Sequence, residues 1–541
     1  MLNVSNLSKT IGGEPLYSNI TFQINPGEKM GLVGPNGAGK TTLFRILIGE
    51  ESYDSGQISF PEKLRVSYFS QNVGEMKGRT ALEEVVEGDA KVRELKNRLK
   101  EYEKKLENSE SLSDDEMNDI LIKMGDDQTD FEKMGGYDLE SRAQEILTGL
   151  GIAPAEHGKL TQDFSGGWKM RIALAKVLVT NPDLIIMDEP TNYLDLETIM
   201  WLENWLINFK GAILMTTHDR DFMNAIANKI LELSMGEGTV YSGNYDFYMK
   251  EREIRREQIR AEFDRQQSML QKEEEFIARF KARASHAAQV QSRVKKIDKI
   301  ERVVLPVEEE TIDFEFVNPP RGGDDVAIIE NLGKSWFNSK NEEKKIFSNL
   351  SVTIKRLERI AVVGVNGAGK STFLKVLCQQ TDPTEGSVKI GPSTKLGYFS
   401  QFSLDVLKPE NTVFDQVRNE LSEASDGFVR NLLAAFLFRG DDVKKKIKFL
   451  SGGEKSRLIL AVLLAQKNNF LVLDEPTNHL DIKSREVLLE ALKKYEGTVI
   501  FVSHDRHFLN EFAEKVYEVD QKKITIYPGN YPYYLSKKAV K

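Results

Sequence analysis

Two short glycine-rich segments of this sequence have the residue types needed to hold the phosphates of a nucleotide. The pattern GxxxxGK[ST] occurs at Gly34–Thr41 and again at Gly364–Ser371, 330 residues further along (364 − 34). In such a loop the backbone N–H groups and the dipole of the following helix bind the phosphates, the lysine contacts the β and γ oxygens, and the hydroxyl ligates magnesium. The candidate nucleotide-binding residues are Gly34, Asn36, Gly37, Gly39, Lys40, Thr41 and Thr42 in the first loop and Gly364, Asn366, Gly367, Gly369, Lys370, Ser371 and Thr372 in the second.

Each loop is followed by the same four elements in the same order. A glutamine that ends a Tyr-Phe-Ser-Gln string comes at Gln71 and Gln401, also 330 residues apart (401 − 71). Three further elements repeat at an offset of 286 (451 − 165), and these are Ser165-Gly166-Gly167 with Ser451-Gly452-Gly453, Asp188-Glu189 with Asp474-Glu475, and His218 with His504. The sequence therefore contains two copies of one nucleotide-binding unit, and the first carries 44 extra residues (330 − 286) before its Ser-Gly-Gly.

The acidic and polar residues of these elements predict hydrolysis of a phosphate bond. Asp188 and Asp474 end apolar runs, where a carboxylate can hold magnesium or its water, and the predicted metal ligands are Thr41, Gln71, Asp188, Ser371, Gln401 and Asp474. The next residue, Glu189 or Glu475, can accept a proton from the attacking water or orient it. The predicted catalytic residues are Glu189, Glu475, His218 and His504, with each histidine assigned to the γ-phosphate. Isolated Asp-Glu pairs and single histidines are commonly structural, but their duplicated spacing favours the catalytic interpretation.

The Ser-Gly-Gly elements predict how the two copies cooperate. Each precedes a helical stretch, Lys169–Thr180 or Lys455–Lys467, so its exposed N–H groups can bind an anion. One copy would then hold two phosphate-binding helix starts, which a single nucleotide does not need. We therefore expect each Ser-Gly-Gly to cap the γ-phosphate held by the other copy, with two nucleotides sandwiched between them.

The pattern of the remaining chain predicts an α/β fold with two helical additions. Aliphatic runs such as Leu184–Met187 predict buried parallel strands that alternate with helices. Each copy should therefore have a sheet core. The predicted domains are 1–245, with an inserted helical hairpin at about 89–135, and 326–541. A capping box at 113–116 supports the hairpin over a solvated loop. Between the domains, residues 246–325 form a linker whose Gly- and Pro-free part, 246–283, predicts a long helix.

Composition limits the function classes. The 541 residues are 40% hydrophobic and 29% charged, and one cysteine, Cys378, excludes internal disulfides and cysteine-based zinc clusters. No apolar run is long enough to span a bilayer, and a reducing cytosol is the expected location. The net charge is −9, yet basic residues are concentrated at 276–302, which predicts contact with a polyanion at one place. The candidate RNA-binding residues are Arg279, Lys281, Arg283, Arg293, Lys295 and Lys296.

These motifs resemble the Walker A, Q-loop, signature, Walker B and H-switch motifs of ATP-binding cassette proteins, over nearly the whole chain. Three features resemble the ABC-F family. They are the tandem arrangement, the Pro-Thr-Asn after each catalytic acid and the linker sequence at 276–284 and 289–293. The resemblance implies ATP and Mg²⁺ as ligands and a cytoplasmic monomer whose two cassettes dimerise internally. It further implies binding to the ribosomal E site, with the linker near rRNA, P-site tRNA and the peptidyl transferase centre, and the inserted hairpin near the L1 stalk.

The resemblance also assigns individual residues. Asp195 and Asp481 are implied to communicate across the interface, and Trp336 to lie against adenine. Ile11 occupies the place of that aromatic residue in the first cassette, and Trp168 replaces the usual Glu or Gln after Ser-Gly-Gly. Both are departures from the family pattern. Ile11 affects base recognition at the first site, and Trp168 affects ATP turnover at the site that its Ser-Gly-Gly caps.

Alternative functions remain at this point. A ribosome-protection protein that confers antibiotic resistance is one, although a short linker tip favours a general translation factor. The ATPase subunit of a transporter is another, but a basic helical pair has no role at a membrane coupling face. Repair and chromosome-organising ATPases carry zinc cysteines or much longer coiled coils, and this sequence has neither.

Overall fold

A computed structural model describes residues 2–35, 37–61, 64–70, 74, 76–107, 114–280, 287–300, 302, 319–337, 343–400, 407–478 and 480–538. The N-terminal domain contains, in chain order, β1 Leu2–Ile11, β2 Glu14–Ile24, β3 Lys29–Val33, α1 Lys40–Leu47, β4 Ser55–Ser59, β5 Val66–Phe69, α2 Ala81–Val86, α3 Ala90–Glu107, α4 Asp114–Lys133, α5 Leu139–Gly149, α6 Gly166–Val179, β6 Leu184–Asp188, α7 Leu196–Asn208, β7 Ala212–Thr216, α8 Arg220–Ile226, β8 Lys229–Ser234 and β9 Glu237–Tyr241. Two linker helices follow, α9 Tyr245–Phe280 and α10 Ala287–Asp298.

The C-terminal domain repeats this order without the inserted hairpin. Its elements are β10 Asp325–Phe337, β11 Glu343–Lys355, β12 Arg359–Val363, α11 Lys370–Leu377, β13 Glu385–Ile390, β14 Leu396–Phe399, α12 Val413–Glu420, α13 Asp426–Ala435, α14 Gly452–Ala465, β15 Phe470–Asp474, α15 Ile482–Lys494, β16 Thr498–Val502, α16 Arg506–Phe512, β17 Lys515–Asp520, β18 Lys523–Tyr527 and α17 Tyr531–Lys538. The chain is thus an α/β protein made of two tandem domains of the same topology, as the sequence predicts.

Each domain has a six-stranded sheet and a smaller three-stranded antiparallel sheet. The strand order of the large sheet is β5-β6-β7-β3-β8-β9 in the N-terminal domain and β14-β15-β16-β12-β17-β18 in the C-terminal domain. Neighbouring strands in these sheets are parallel, except that β8 pairs with β9 and β17 pairs with β18 in antiparallel fashion. All five residues of β6, β7, β15 and β16 are buried, which explains their unbroken apolar runs.

This strand order brings the predicted site residues to one edge. The first phosphate loop follows β3, Asp188 ends β6 and His218 follows β7, and these three strands are neighbours in the sheet. Since the carboxyl ends of parallel strands meet at one edge, residues far apart in sequence converge there. The C-terminal domain repeats the arrangement with β12, β15 and β16.

The helices after the Ser-Gly-Gly elements begin earlier than predicted. α6 starts at Gly166 and α14 at Gly452, not at Lys169 and Lys455, because Ser165 and Ser451 are themselves the N-cap residues. Propensity alone predicts a loop at two successive glycines. The first turn of α14 nonetheless contains them, because the Ser451 hydroxyl caps that turn. The N-cap expected at Ser113 for α4 lies outside the described residues.

Helix α9 is anchored to the N-terminal domain by a cluster of polar groups beneath it. Glu232 on β8 accepts hydrogen bonds from the hydroxyls of Tyr241 (3.1 Å) and Tyr248 (2.9 Å), and Arg252 forms an ion pair with it at 2.9 Å. The C-terminal domain has the same arrangement 286 residues later (518 − 232), where Glu518 binds the hydroxyls of Tyr527 and Tyr534 and the ammonium of Lys538. The repeat therefore continues past residue 245, the boundary predicted from sequence, into the first turns of α9.

Replacing Glu232 with alanine should loosen the base of α9. Two tyrosine hydroxyls and one guanidinium would lose their shared partner, and hydrogen bonds to a charged group contribute about 1.5–3 kcal/mol each when their loss leaves buried groups unpaired. We expect faster amide hydrogen exchange across 245–252, with the core strands unaffected. Glu237→Ala, at an exposed position on β9, is the matched control. Unchanged exchange at 245–252 in the Glu232 variant would show that the cluster does not hold the helix.

Candidate functional site

Both phosphate loops depend on glycine where the chain passes close to a neighbouring strand. Gly34 and Gly364 have φ of 158° and 145°, and a Cβ on either would collide with a backbone carbonyl, that of Leu233 or Val519. Only glycine fits such a close approach. The loops lead directly into α1 and α11, whose first residues are Lys40 and Lys370. The N–H groups of these helix starts are therefore available to phosphate.

The two loop lysines are held in the same way. The Nζ atom of Lys40 donates to the carbonyls of Gly34 (2.8 Å) and Pro35 (3.0 Å), and that of Lys370 donates to the carbonyl of Gly364 at 2.7 Å. Burial lowers the pKa of both lysines, although nearby carboxylates act in the opposite direction. A buried ammonium of this kind gains stability from a phosphate anion, which restores an opposite charge in its surroundings.

Four of the residues predicted to ligate magnesium lie in two pairs, Thr41 with Asp188 and Ser371 with Asp474, and their oxygen donors fit a hard cation. In the first site the Thr41 hydroxyl donates to one Asp188 oxygen at 2.7 Å, while the Thr216 hydroxyl donates to the other at 2.8 Å. The second site pairs Ser371 with Asp474. Gln71, Gln401 and Asn36, which were also predicted to bind the nucleotide or the metal, lie outside the described residues.

The two magnesium sites differ at one position. Val502 faces Asp474 across the strand pair, where Thr216 faces Asp188 in the first site. Among the described residues, the Oδ1 atom of Asp474 consequently has no hydrogen-bond partner, although the residue is only 8% exposed. Burial also raises the pKa of this carboxyl group, against the hydrogen bond from Ser371.

The predicted catalytic acids stand in the same strained conformation in both domains. Glu189 has φ of 54° and Glu475 has φ of 53°, in the left-handed region that non-glycine residues rarely occupy. Such strain persists where the surrounding structure fixes it, and it is concentrated at functional sites. The strained turns direct both carboxylates towards their histidines. The Nε2–Oε1 distance is 3.5 Å for His218 with Glu189 and 3.4 Å for His504 with Glu475.

Further contacts fix each acid. The backbone N–H of His218 donates to the Oε2 atom of Glu189 at 3.0 Å, and the Asn478 side chain donates to the Oε2 atom of Glu475. Burial lowers the pKa of His218, so its imidazole is neutral near pH 7 and can donate or accept one hydrogen bond at each nitrogen. Burial would raise the pKa of Glu475, but the His504 contact and the Lys370 charge outweigh it and keep that acid ionised.

One cleft contains residues of both domains. Ser165, Gly167 and Trp168 line it from the N-terminal domain, and Glu475 and His504 line it from the C-terminal domain, around a cavity of about 270 Å³. Residues of the first Ser-Gly-Gly and of the second catalytic pair thus line the same cleft.

Direct bonds join the two domains beside this cleft. Asp195, the N-cap of α7, accepts a hydrogen bond from the backbone N–H of Asn366 in the second phosphate loop at 3.0 Å. The guanidinium of Arg171, only 1% exposed, donates to the same Asp195 oxygen at 3.0 Å. Burial would raise the pKa of Asp195, yet Arg171 and these hydrogen bonds hold it far below the usual range. An ionised Asp195 therefore tethers the loop of the other domain.

The first site is joined to the C-terminal domain by different residues. Arg485 on α15 donates to the His218 carbonyl at 3.1 Å and to Asp505 at 2.9 Å. Asp481, predicted as the counterpart of Asp195, is the N-cap of α15, and its charge acts on Lys40. Ser451 caps α14, where Gly452 and Gly453 form the first turn.

Trp336 lies on β10 with 45% of its surface exposed, and the Lys334 ammonium lies 4.4 Å from its ring centroid. An exposed ring supported on one face can stack with a base on the other, whereas Ile11, 51% exposed, offers no aromatic surface.

Two of the predicted RNA contacts are used within the linker. Arg293 pairs with Glu273 and stacks on the Phe276 ring at 3.9 Å, and Lys296 lies 3.3 Å from the same carboxylate. These bonds fasten α10 to α9. Arg279 and Lys295 are exposed, whereas Lys281 and Arg283 lie outside the described residues.

Sequence reasoning missed several residues that organise the sites, namely Arg171, Thr216, Asn478 and Arg485. Arg171 carries a signal that could have been read, because Arg457 lies 286 residues later (457 − 171). Thr216 carries no such signal, since its counterpart is Val502.

None of the described helices is long and apolar enough to cross a lipid bilayer.

A family described as "ABC transporter" matches residues 17–192 and 347–478, and a second family of the same description matches residues 231–316. "Probable ATP-binding protein YbiT" of Escherichia coli O157:H7 is 35% identical over 542 residues, covering 100% of both chains. "ABC transporter F family member 5" of Arabidopsis thaliana is 34% identical, covering 99% of this chain and 77% of the relative.

Among solved structures, the fold is similar to the archaeal ribosome recycling factor aABCE1, solved in complex with the ribosomal stalk protein aP1. The TM-score is 0.63 at 19% identity, covering 99% of this chain and 92% of that one. This similarity shows the tandem-cassette fold.

The difference between Thr216 and Val502 leads to a paired stability prediction. Thr216→Val would leave a buried Asp188 oxygen without a partner and should destabilise the N-terminal domain by about 1–3 kcal/mol. Val502→Thr should supply the missing donor to Asp474 and leave the C-terminal domain equally or more stable. Urea unfolding in the absence of nucleotide, with domain-specific probes, measures both. Equal effects of the two substitutions would contradict the hydrogen-bond assignment.

Proposed function

This chain belongs to the ABC-F family of ATP-binding cassette proteins, and from that premise we propose that it is a cytoplasmic translation factor that hydrolyses ATP. It binds the ribosomal E site with two ATP molecules held between its cassettes, acts through its linker on P-site tRNA and the peptidyl transferase centre, and leaves after hydrolysis. The observation that carries the proposal is the cleft in which Ser165 and Gly167 of one cassette face Glu475 and His504 of the other.

The chemistry follows from the residues at each sheet edge. Lys370 and the N–H groups of its loop would bind the phosphates, and Ser371 and Asp474 would hold Mg²⁺, which would neutralise charge on the phosphate oxygens. Glu475 accepts a proton from the attacking water as the water oxygen bonds to the γ-phosphorus. The bond from the γ-phosphorus to the bridging oxygen breaks, and ADP leaves with that oxygen. His504 keeps that carboxylate in position. Lys40, Thr41, Asp188, Glu189 and His218 have the same roles in the first site.

Because each nucleotide would contact both cassettes, its γ-phosphate would strengthen the interface that Asp195 and Asn366 already form. Loss of that phosphate removes the anion from between the loop and the opposing helix start. The interface then weakens, and the protein can change from a closed to an open form. This coupling supports a cycle in which ATP binding fixes the protein on its target and hydrolysis releases it.

A direct connection leads from the first site to the linker. Asp246 in the first turn of α9 accepts hydrogen bonds from Arg220 (3.1 Å) and Asn224 (3.0 Å) of α8, and α8 begins two residues after His218. In the C-terminal domain the corresponding position is Pro532, which has no such side chain. A displacement of α8 at the nucleotide site would therefore be transmitted to the linker helix.

The linker itself fits an RNA partner. Arg279 and Lys295 are exposed near its far end, while Glu273 neutralises Arg293 and Lys296 and makes the hairpin rigid. Rigid basic projections place charge against phosphate without the entropy cost of ordering a loop. The ribosome, with rRNA and the P-site tRNA, supplies such phosphates, and the inserted hairpin α3–α4 is assigned to the L1 stalk region.

The first experiment traps the closed state. Glu189→Gln with Glu475→Gln should keep ATP binding and lower the hydrolysis rate by about 10²–10⁴, the usual contribution of a general base. Because closure would persist, the variant should sediment with ribosomes in ATP but not in ADP. Lys40→Ala with Lys370→Ala, which removes the phosphate contacts, is the control and should not sediment. An ATP-bound double Gln variant that stays in the supernatant would exclude the ribosome as the target.

The second experiment tests the linker surface. Arg279→Glu with Lys295→Glu should weaken ribosome binding and lower the slope of log affinity against log salt by about 2, one for each lost phosphate contact. Lys522→Glu with Lys523→Glu, the same charge change at exposed positions of the C-terminal cassette, is the matched control. An unchanged salt slope in the linker variant would remove these two residues from the RNA contact.

A further inference from the structure

The two helices that follow the Ser-Gly-Gly elements begin differently. In the C-terminal cassette Ser451 and Glu454 form a closed capping box, with the Ser451 hydroxyl accepting from the Glu454 N–H at 3.3 Å and the Glu454 carboxylate accepting from the Ser451 N–H at 2.7 Å. In the N-terminal cassette Trp168 stands in the place of that glutamate, and Ser165 makes no side-chain cap hydrogen bond. The start of α6 thus keeps its hydroxyl and N–H groups for another partner.

Trp168 contacts a residue that supports the bond between the two cassettes. Its ring lies 4.7 Å from the guanidinium carbon of Arg171, which binds Asp195 at 3.0 Å. Asp195 in turn accepts the N–H of Asn366 in the second phosphate loop. Trp168 also lines the cleft that contains Glu475. The indole therefore lies at the wall of the second nucleotide site and not on a remote surface.

The electrostatic consequences for the two sites differ. A carboxylate fixed beside a helix start competes with any other anion for the same N–H groups and repels it. Glu454 places such a charge at the helix that would face the first nucleotide. Trp168 places none at the helix that would face the second. In the sandwich proposed above the opposing helix start caps the γ-phosphate, which ATP has and ADP lacks. The difference between Glu454 and Trp168 should therefore change the affinity for ATP more than the affinity for ADP.

We propose that Trp168 makes the site built around Lys370 and Glu475 the one that discriminates more strongly between ATP and ADP. The proposal rests on the sandwiched arrangement given above. It adds that the two sites of the sandwich differ in their preference for ATP over ADP. Trp168 is then a specificity-determining residue and not a defective signature position.

The experiment measures ATP and ADP affinities at the second site alone. Lys40→Ala confines binding to that site, and Glu475→Gln prevents hydrolysis. In this background Trp168→Glu should lower the preference for ATP over ADP by about fivefold, the effect of one charge at a helix start, with ADP affinity unchanged. Trp168→Phe, which keeps an aromatic ring over Arg171 and adds no charge, should retain the preference. A merely structural role would change the affinities for both nucleotides together.

The reciprocal variant tests the same idea without altering Trp168. In a Lys370→Ala and Glu189→Gln background, which confines binding to the first site, Glu454→Ala should raise the preference for ATP by a similar factor. The proposal is overturned if Trp168→Glu keeps the full preference, or if Trp168→Phe loses as much as Trp168→Glu. Loss of ATP preference in the unsubstituted backgrounds would instead contradict the sandwiched arrangement itself.

Discussion

The hydrogen bond from the Asn366 backbone to Asp195 joins the second phosphate loop to the first cassette, and the geometry of the second site depends on it. Asp195 caps α7 through the Thr198 N–H, pairs with the buried Arg171 and binds the phosphate loop of the opposite cassette, all with one carboxylate. A buried carboxylate is tolerated only when it is fully paired, so the three partners stabilise one another. The first cassette thereby holds its signature helix, the start of α7 and the second phosphate loop in one rigid unit.

Much of the fold and most of the candidate site could be predicted from sequence because the duplication separates functional residues from chance matches. Each element that recurs at a fixed offset, such as Glu189 with Glu475, must meet the same geometric requirement twice. Buried parallel strands are also readable, since β6 and β15 are continuous apolar runs that end at the carboxylate. These signals are local and follow from strand burial and from the chemistry of phosphate binding.

The remainder could not be predicted because it depends on contacts between distant residues. The resemblance implies an interface role for Asp195, but its partner Asn366 lies 171 positions away and nothing in the sequence around either residue indicates the pairing. The linker charges show the same limit. Arg293 and Lys296 read as free basic residues, but folding places both on Glu273 of the preceding helix. Identity and spacing predict which residues act, whereas tertiary pairing decides which charges remain available.

The most direct test of the account is to find which backbone segment lies beside the γ-phosphate position of the second site. Vanadate trapped in that position cleaves the adjacent chain under ultraviolet light, and mass spectrometry locates the break. A nucleotide shared between the cassettes predicts cleavage at Ser165 in the N-terminal cassette, retained in a Lys40→Ala variant and abolished by Lys370→Ala. Cleavage confined to the Lys370 loop, with Ser165 intact, would contradict a nucleotide shared between the two cassettes.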